Sequence, residues 1–184
     1  MGKKGAETRC RLLAAARSLV ESHGYYGTGL NQILEISGTP RGSLYFHFPG
    51  GKDQIISEAI AESAAEISAV IETAEAADAR GYLELLVELL GERLESSGWT
   101  AGCPVAGVAL DVTPANGAVQ QSCSAAYSEW EKLLRDRLTD YGHPEPERLA
   151  TAALALMEGG LILSRAHRDR GPLRRIAGTL DTLV

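Results

Sequence analysis

Apolar residues recur at three- and four-residue spacing along most of the chain, and no stretch carries the alternating pattern of a strand. Leu12, Leu13, Ala16, Leu19 and Val20 mark the inward face of a first helix, predicted over 6–23 and ended by Gly24. Residues 1–5 are left as a mobile basic tail. Arg9, Arg11 and Arg17 fall outside that face, as solvated charges, with Arg9 or Arg11 a candidate phosphate contact. A second helix is predicted over 29–37, capped by Thr28, with Leu30, Ile33 and Ile36 on its buried side and Gly38 as its stop. A short third helix spans 39–48. A long fourth one, 52–79, buries Ile55, Ile56, Ala59, Ile60, Ala64, Ile67 and Val70, and Arg80-Gly81 breaks it. Leu85, Leu86, Leu89, Leu90 and Leu94 face inward on a fifth, 82–96. Pro104 opens a sixth, which runs to Val112 and ends at Thr113-Pro114. A seventh is expected over 115–141, an eighth over 146–168 and a ninth over 173–183. The pattern predicts an all-α fold of nine helices, without repeats or low-complexity tracts.

The third helix carries the most chemistry. Thr39 can cap it, and Pro40 suits a first helical position, where a missing N–H costs nothing. Leu44 and Phe48, four apart, form one apolar row. Arg41 and Tyr45 form a second row, and Ser43 and His47 a third. Arginine can fork onto guanine or phosphate, and Ser, Tyr and His can donate to phosphate oxygens. Lys52 follows just after, placed to clamp a flanking phosphate.

Gly38-Thr-Pro-Arg-Gly-Ser-Leu-Tyr-Phe-His-Phe48, followed by Lys52-Asp53, resembles the helix-turn-helix signature of the TetR/AcrR family of repressors. Thr28, Leu30, Ile33, Ile36 and Gly38 match the same spacing upstream, and the close match runs from about residue 6 to 60. The resemblance implies a three-helix DNA-binding head and a six-helix regulatory and dimerisation body. The head would be residues 1–51 with the start of the fourth helix, to about 65; the body would be 52–184. It implies DNA contacts from Thr28, Thr39, Arg41, Gly42, Ser43, Tyr45, His47 and Lys52. Two departures stand out. Pro40 replaces a serine common in the family, which leaves Thr39 to supply the cap. The Pro49-Gly50-Gly51 link is one residue longer than in most members. That link, and more weakly Gly102-Cys103-Pro104-Val105-Ala106, is similar to a subgroup of the lincomycin-resistance repressor type.

Charge supports a divided chain. The net charge of −6 alone argues against nucleic acid, but it is segregated. Residues 1–53 hold seven basic against four acidic side chains, a net +3, which leaves −9 on the rest. A basic head on an acidic body lets only the head approach phosphate. The three cysteines form no Cys-x-x-Cys pair, as expected in a reducing cytoplasm. No signal peptide is recognised, and the apolar run from Leu149 to Leu163 is too short to span a bilayer, so no membrane partner is expected.

The eighth helix is apolar nearly all round, which predicts burial on two sides. One side is expected to be a homodimer interface formed by Leu149, Ala153, Leu156, Gly160 and Leu163 with Ile176 and Leu180 of the ninth helix. The resemblance implies the same four-helix dimer. Trp99, Val105, Tyr127, Trp130, Met157 and Glu158 are candidate walls of a pocket for a small apolar or aromatic effector; for the aromatics and Met157, plain core packing is the alternative. Glu158 either meets a polar ligand group, edges into solvent or bonds across the dimer. Cys103 is either a packing residue or a thiol at a helix start. The four histidines lack metal-ligand spacing, and neither a phosphate loop nor a nucleophile elbow occurs, so neither metal, cofactor nor catalysis is expected. The reading is a ligand-responsive repressor that binds a palindromic operator as a dimer. A small-molecule-binding dimer without DNA binding, and an enzyme using the body pocket, are the alternatives.

Overall fold

The computed structural model describes residues 3–113 and 116–184. Among them lie nine α-helices and no strand: α1 (Lys3–His23), α2 (Leu30–Ser37), α3 (Arg41–His47), α4 (Gly51–Thr73), α5 (Ala79–Ser96), α6 (Ala106–Asp111), α7 (Gly117–Asp140), α8 (Pro146–His167) and α9 (Gly171–Leu180). Helix begins at Lys3, inside the segment expected to be a tail. Pro114 and Ala115, the expected end of one helix and start of the next, lie outside the described residues.

The chain forms two compact units. The first holds Met1–Ala64 and Pro104–Ala126, the second Ala65–Cys103 and Tyr127–Val184. In the first, α1 packs on α2, α3 and α6. Leu12, Ile33, Leu44, Phe48, Ile55 and Ile56 of this unit are wholly buried. Gly24 is favoured on two counts. At φ +68° it ends α1, and its N–H donates to the Val20 carbonyl at 2.9 Å. A Cβ there would lie 2.5 Å from Asp111 Oδ2 at the end of α6, so any larger residue would have to displace that carboxylate. Ile36, expected inside, is 59% exposed. The buried row of α2 is Ile33 and Ser37, four apart, which turns Ile36 outward.

In the second unit α5, α8 and α9 pack together. The break before α5 falls at residues 74–78, not at Arg80-Gly81. Asp78 caps α5, its Oδ1 accepting the Gly81 N–H at 2.8 Å, so Arg80 and Gly81 sit in the first turn. Val70, also expected inside, is 43% exposed.

Four residues expected at a subunit interface are buried within the single chain: Leu149, Ala153, Gly160 and Leu180. Gly160 shows why. A Cβ there would lie 2.6 Å from Ile176 Cδ1 and 2.8 Å from Leu173 Cδ2, so this row of α8 is already closed by α9. The outer stripe of α8 lies elsewhere, on Ala152, Ala155, Leu156, Gly159, Ile162 and Leu163. At 22 residues, α8 as a whole, longer than the 149–163 run, is long and apolar enough to cross a bilayer by length and composition alone. Its inner row, however, is packed as the core helix of this unit.

Candidate functional site

The first unit presents α3. Gly38, at φ +60°, ends α2 and lets its own N–H and that of Thr39 reach the Glu35 and Leu34 carbonyls. Pro40 then stands as the N-cap with an extended backbone (φ −65°, ψ 148°), and no side chain caps the helix. Thr39 therefore does not cap. It is buried, and its hydroxyl shares a 2.8 Å hydrogen bond with Ser37. Thr28 does not cap α2 either: Gly29 is the N-cap, with its N–H bound by the Gln32 side chain at 2.8 Å. Thr28 is wholly buried, and its hydroxyl donates to the Gly24 carbonyl at 2.8 Å. Both threonines, expected at DNA, are committed to internal bonds that set the entry to α2 and α3.

The rest of the expected set reaches the surface together. Arg41, Gly42 and Tyr45 are exposed and Ser43 and His47 half-buried, while Leu44 and Phe48 are wholly buried beneath them. Phe46 was missed. It is 75% exposed and meets the His47 ring edge-on, centroids 5.0 Å apart. Its position off the Leu44–Phe48 row was the available signal. A Cβ on Gly42 would meet no atom within 4 Å, so nothing in the protein requires glycine there.

Charges around α3 are more engaged than their sequence positions suggest. Arg9 pairs with Glu58 and stacks 5.1 Å over the Phe48 ring, so it braces the end of α3. Arg17 donates to Ser63 Oγ at 3.1 Å and pairs with Glu62. Arg11 is exposed. Lys52 lies 4.2 Å over the Tyr25 ring, where partial burial lowers its pKa against the raising effect of Asp53 and Asp111. The Tyr25 hydroxyl donates to Asp53 and accepts from Asn116 Nδ2 at 3.0 Å. Burial, with Asp53 beside it, pushes Tyr25 up to about 12, so it stays a neutral donor.

The second unit contains a cavity of about 280 Å³. Trp130, Met157 and Glu158 of the expected wall line it. Trp99, Val105 and Tyr127 do not. Val105 belongs to the first unit and is buried there. Tyr127 packs edge-on against Trp130 at 5.4 Å, behind the wall. Trp99 is held in the turn after α5 at φ 67°, its N–H on the Leu94 carbonyl. Leucines of α5, α7 and α8 and residues Ile67, Val70 and Ile71 of α4 supply the rest of the apolar lining. The helical pattern already turned Ile67, Val70, Leu86, Leu89 and Leu90 inward, without marking a pocket among them. Arg93 and Cys103 also reach the cavity. Cys103 precedes a turn, with α6 starting only at Ala106, and its thiol donates to the Glu158 carboxylate.

Glu158 Oε2 is buried without a hydrogen-bond partner in the protein. Burial pushes its pKa above the ordinary carboxylate range, against the Cys103 hydrogen bond. The folded state thus holds this proton more tightly than the unfolded chain. Its contribution to stability is full below the ordinary carboxylate pKa and is lost as pH rises through the raised value. Glu158→Gln, which cannot ionise, is expected to stabilise the protein by about 1–3 kcal/mol at pH 8, with the gain vanishing near pH 4. Thermal melts across that range check this; a gain independent of pH, or a loss at pH 8, would contradict it.

Residues 12–59 match the family described as bacterial regulatory proteins, tetR family, and residues 79–179 match the transcriptional regulator LmrA/YxaF-like C-terminal domain. The chain is 33% identical to the HTH-type transcriptional regulator LmrA of Bacillus subtilis, over 97% of each chain. A TetR transcriptional regulator from Chloroflexus aurantiacus is 28% identical and superposes with a TM-score of 0.82, covering 98% of this chain and 96% of that one. The fold is shared with a cysteine mutant of the regulator CifR in complex with 26 bp of operator DNA, 24% identical, TM-score 0.81, with 94% of each chain covered. With α3 exposed on a buried apolar row and both halves of the chain matched, the protein is a transcriptional regulator of the TetR family, with a C-terminal domain of the LmrA/YxaF-like type.

Proposed function

We propose that this regulator is a repressor that binds a palindromic operator as a homodimer and leaves it when a small organic effector occupies the cavity. Residues 1–51, with the start of α4, serve as the DNA-binding part, and residues 52–184 serve effector binding and dimerisation. The protein acts in the cytoplasm, where the DNA is. The observation that carries the reading is the two-sidedness of α3. Leu44 and Phe48 anchor it, while Arg41, Gly42, Ser43, Tyr45 and His47 reach the surface side by side. Gly42 supports it further. An exposed helical glycine costs roughly 0.5–1 kcal/mol relative to alanine, and no neighbour in the chain explains it. Close approach of a DNA backbone does. CifR, on the same fold, is seen with operator DNA. In a dimer the two α3 helices would enter successive major grooves roughly 34–36 Å apart.

For the dimer, the support is the outer stripe of α8. Ile162 and Leu163 are 55% and 50% exposed, beside Ala155 and Gly159. A Cβ on Gly159 or on Gly178 of α9 would meet nothing within the chain, which leaves room for close helix approach by a second copy. The effector would favour a conformation that no longer fits the operator. Such coupling typically amounts to about 1–3 kcal/mol, roughly 5–150-fold in DNA affinity.

The test is a titration on DNA selected from a random pool, at several salt concentrations. Arg41→Ala is expected to cost about 1–3 kcal/mol and, if Arg41 reads guanine, to relax sequence preference. Lys52→Ala should weaken all sequences alike and reduce the salt slope by about one unit. Gly42→Ala should stabilise the fold yet weaken DNA binding. If Arg41→Ala and Lys52→Ala leave affinity and salt dependence unchanged, this surface does not engage DNA.

A further inference from the structure

We infer that the cavity takes an uncharged, largely apolar molecule bearing one hydrogen-bond donor, which it delivers to Glu158 Oε2. The inference rests on the reading of this cavity as the effector site, and adds the chemistry of the occupant. The lining comes from α4, α5, α7, α8 and Cys103, and is aliphatic or aromatic except at three side chains. Those three are Arg93 from α5, Cys103 from the loop after it, and Glu158 from α8. Arg93 Nη1 donates to the Gly102 carbonyl at 3.1 Å, and the Cys103 thiol is turned to the Glu158 carboxylate. One polar atom is left over: Glu158 Oε2, buried and unpartnered.

A carboxylate oxygen in that position accepts, and a donor placed against it favours the ionised form. A ligand N–H or O–H placed against it relieves a buried, unsatisfied acceptor, and a ligand without a donor leaves that acceptor buried. Sites of this kind discriminate by what the mismatched ligand leaves unpaired more than by what the matched one gains.

The charge of the occupant follows from the same three groups. Arg93 is a cation in the wall, and it offsets the single carboxylate that Glu158 can supply. The cavity therefore offers no net negative charge to recruit a cation, and desolvating one would gain little. At about 280 Å³, near the lower end of ligand pockets, the space suits a molecule of two or three rings.

Indole, 1-methylindole and tryptamine serve as probes: a neutral donor, the same ring system without the donor, and a cation. Isothermal titration calorimetry at pH 7 on the full chain compares the parent protein with Glu158→Gln and Glu158→Leu. Indole is expected to bind the parent about tenfold or more tightly than 1-methylindole. Glu158→Gln keeps a carbonyl acceptor and should keep the preference. Glu158→Leu should abolish it, chiefly by improving 1-methylindole. Equal binding of the two indoles by the parent, a preference that survives in Glu158→Leu, tighter binding of tryptamine than of indole, or binding of none of the three overturns the inference. Circular dichroism confirms that each variant is folded. DNA release is measured separately. Indole that binds with this pattern but leaves DNA affinity unchanged refutes the regulatory reading and leaves the Glu158 anchor standing. A probe that releases DNA without the pattern does the reverse.

Discussion

Leu163→Glu is expected to turn a dimer into a folded monomer and to lower operator affinity by about 10²–10⁴-fold. Two heads joined in one dimer make the second half-site contact intramolecular, and a monomer forfeits that effective concentration. Leu163 is 50% exposed in the single chain, so a carboxylate there is hydrated in the monomer and the fold should survive. In a dimer the same carboxylate would be buried without a partner, which interfaces tolerate poorly. Leu156→Glu, at a half-buried position on the same stripe, should act in the same direction. Sedimentation at micromolar concentration and a DNA titration check both effects. A monomeric parent, or a Leu163→Glu variant that sediments as the parent does, refutes this interface.

Leu44→Ala is expected to destabilise the first unit by roughly 2–5 kcal/mol. Leu44 and Phe48 are wholly buried, in a helix of only seven residues. A helix that short has little stability of its own and holds its shape through packing. Phe46→Ala, at a side chain 75% exposed, should change stability by no more than about 0.5 kcal/mol. Both tryptophans, Trp99 and Trp130, lie in the second unit, so their fluorescence reports that unit, whereas far-ultraviolet circular dichroism reports both. In urea, Leu44→Ala should shift the dichroism transition more than the fluorescence one. Equal stability of Leu44→Ala and the parent, or an equal cost for Phe46→Ala, would show that α3 is not anchored as described.

What the sequence determined by itself is the local part. Helical period, Gly24 and Gly38 as stops, and the Leu44–Phe48 row follow from interactions within a few residues, so pattern reading found the helices and the two sides of α3. The family signature lies in the same contiguous stretch. Boundaries moved where a local competition was misjudged. Asp78 captured the Gly81 N–H and drew the start of α5 forward, and Pro40 took the cap expected of Thr39. What only the tertiary structure decided is which neighbour claims each group. Thr28 and Thr39 have the chemistry of phosphate donors, yet their hydroxyls are spent inside the unit. Arg9 is drawn from solvent by Glu58 and the Phe48 ring. Residues 104–126 join the first unit across a long separation in sequence. On α8, apolar almost all round, periodicity gave no preferred direction. The Leu149–Ala153–Gly160 row turned inward because α9 closes on Gly160, and Glu158 was left in the cavity wall. A helix with apolar residues on every side does not say which side packs first, since that depends on the shape of the helix it meets.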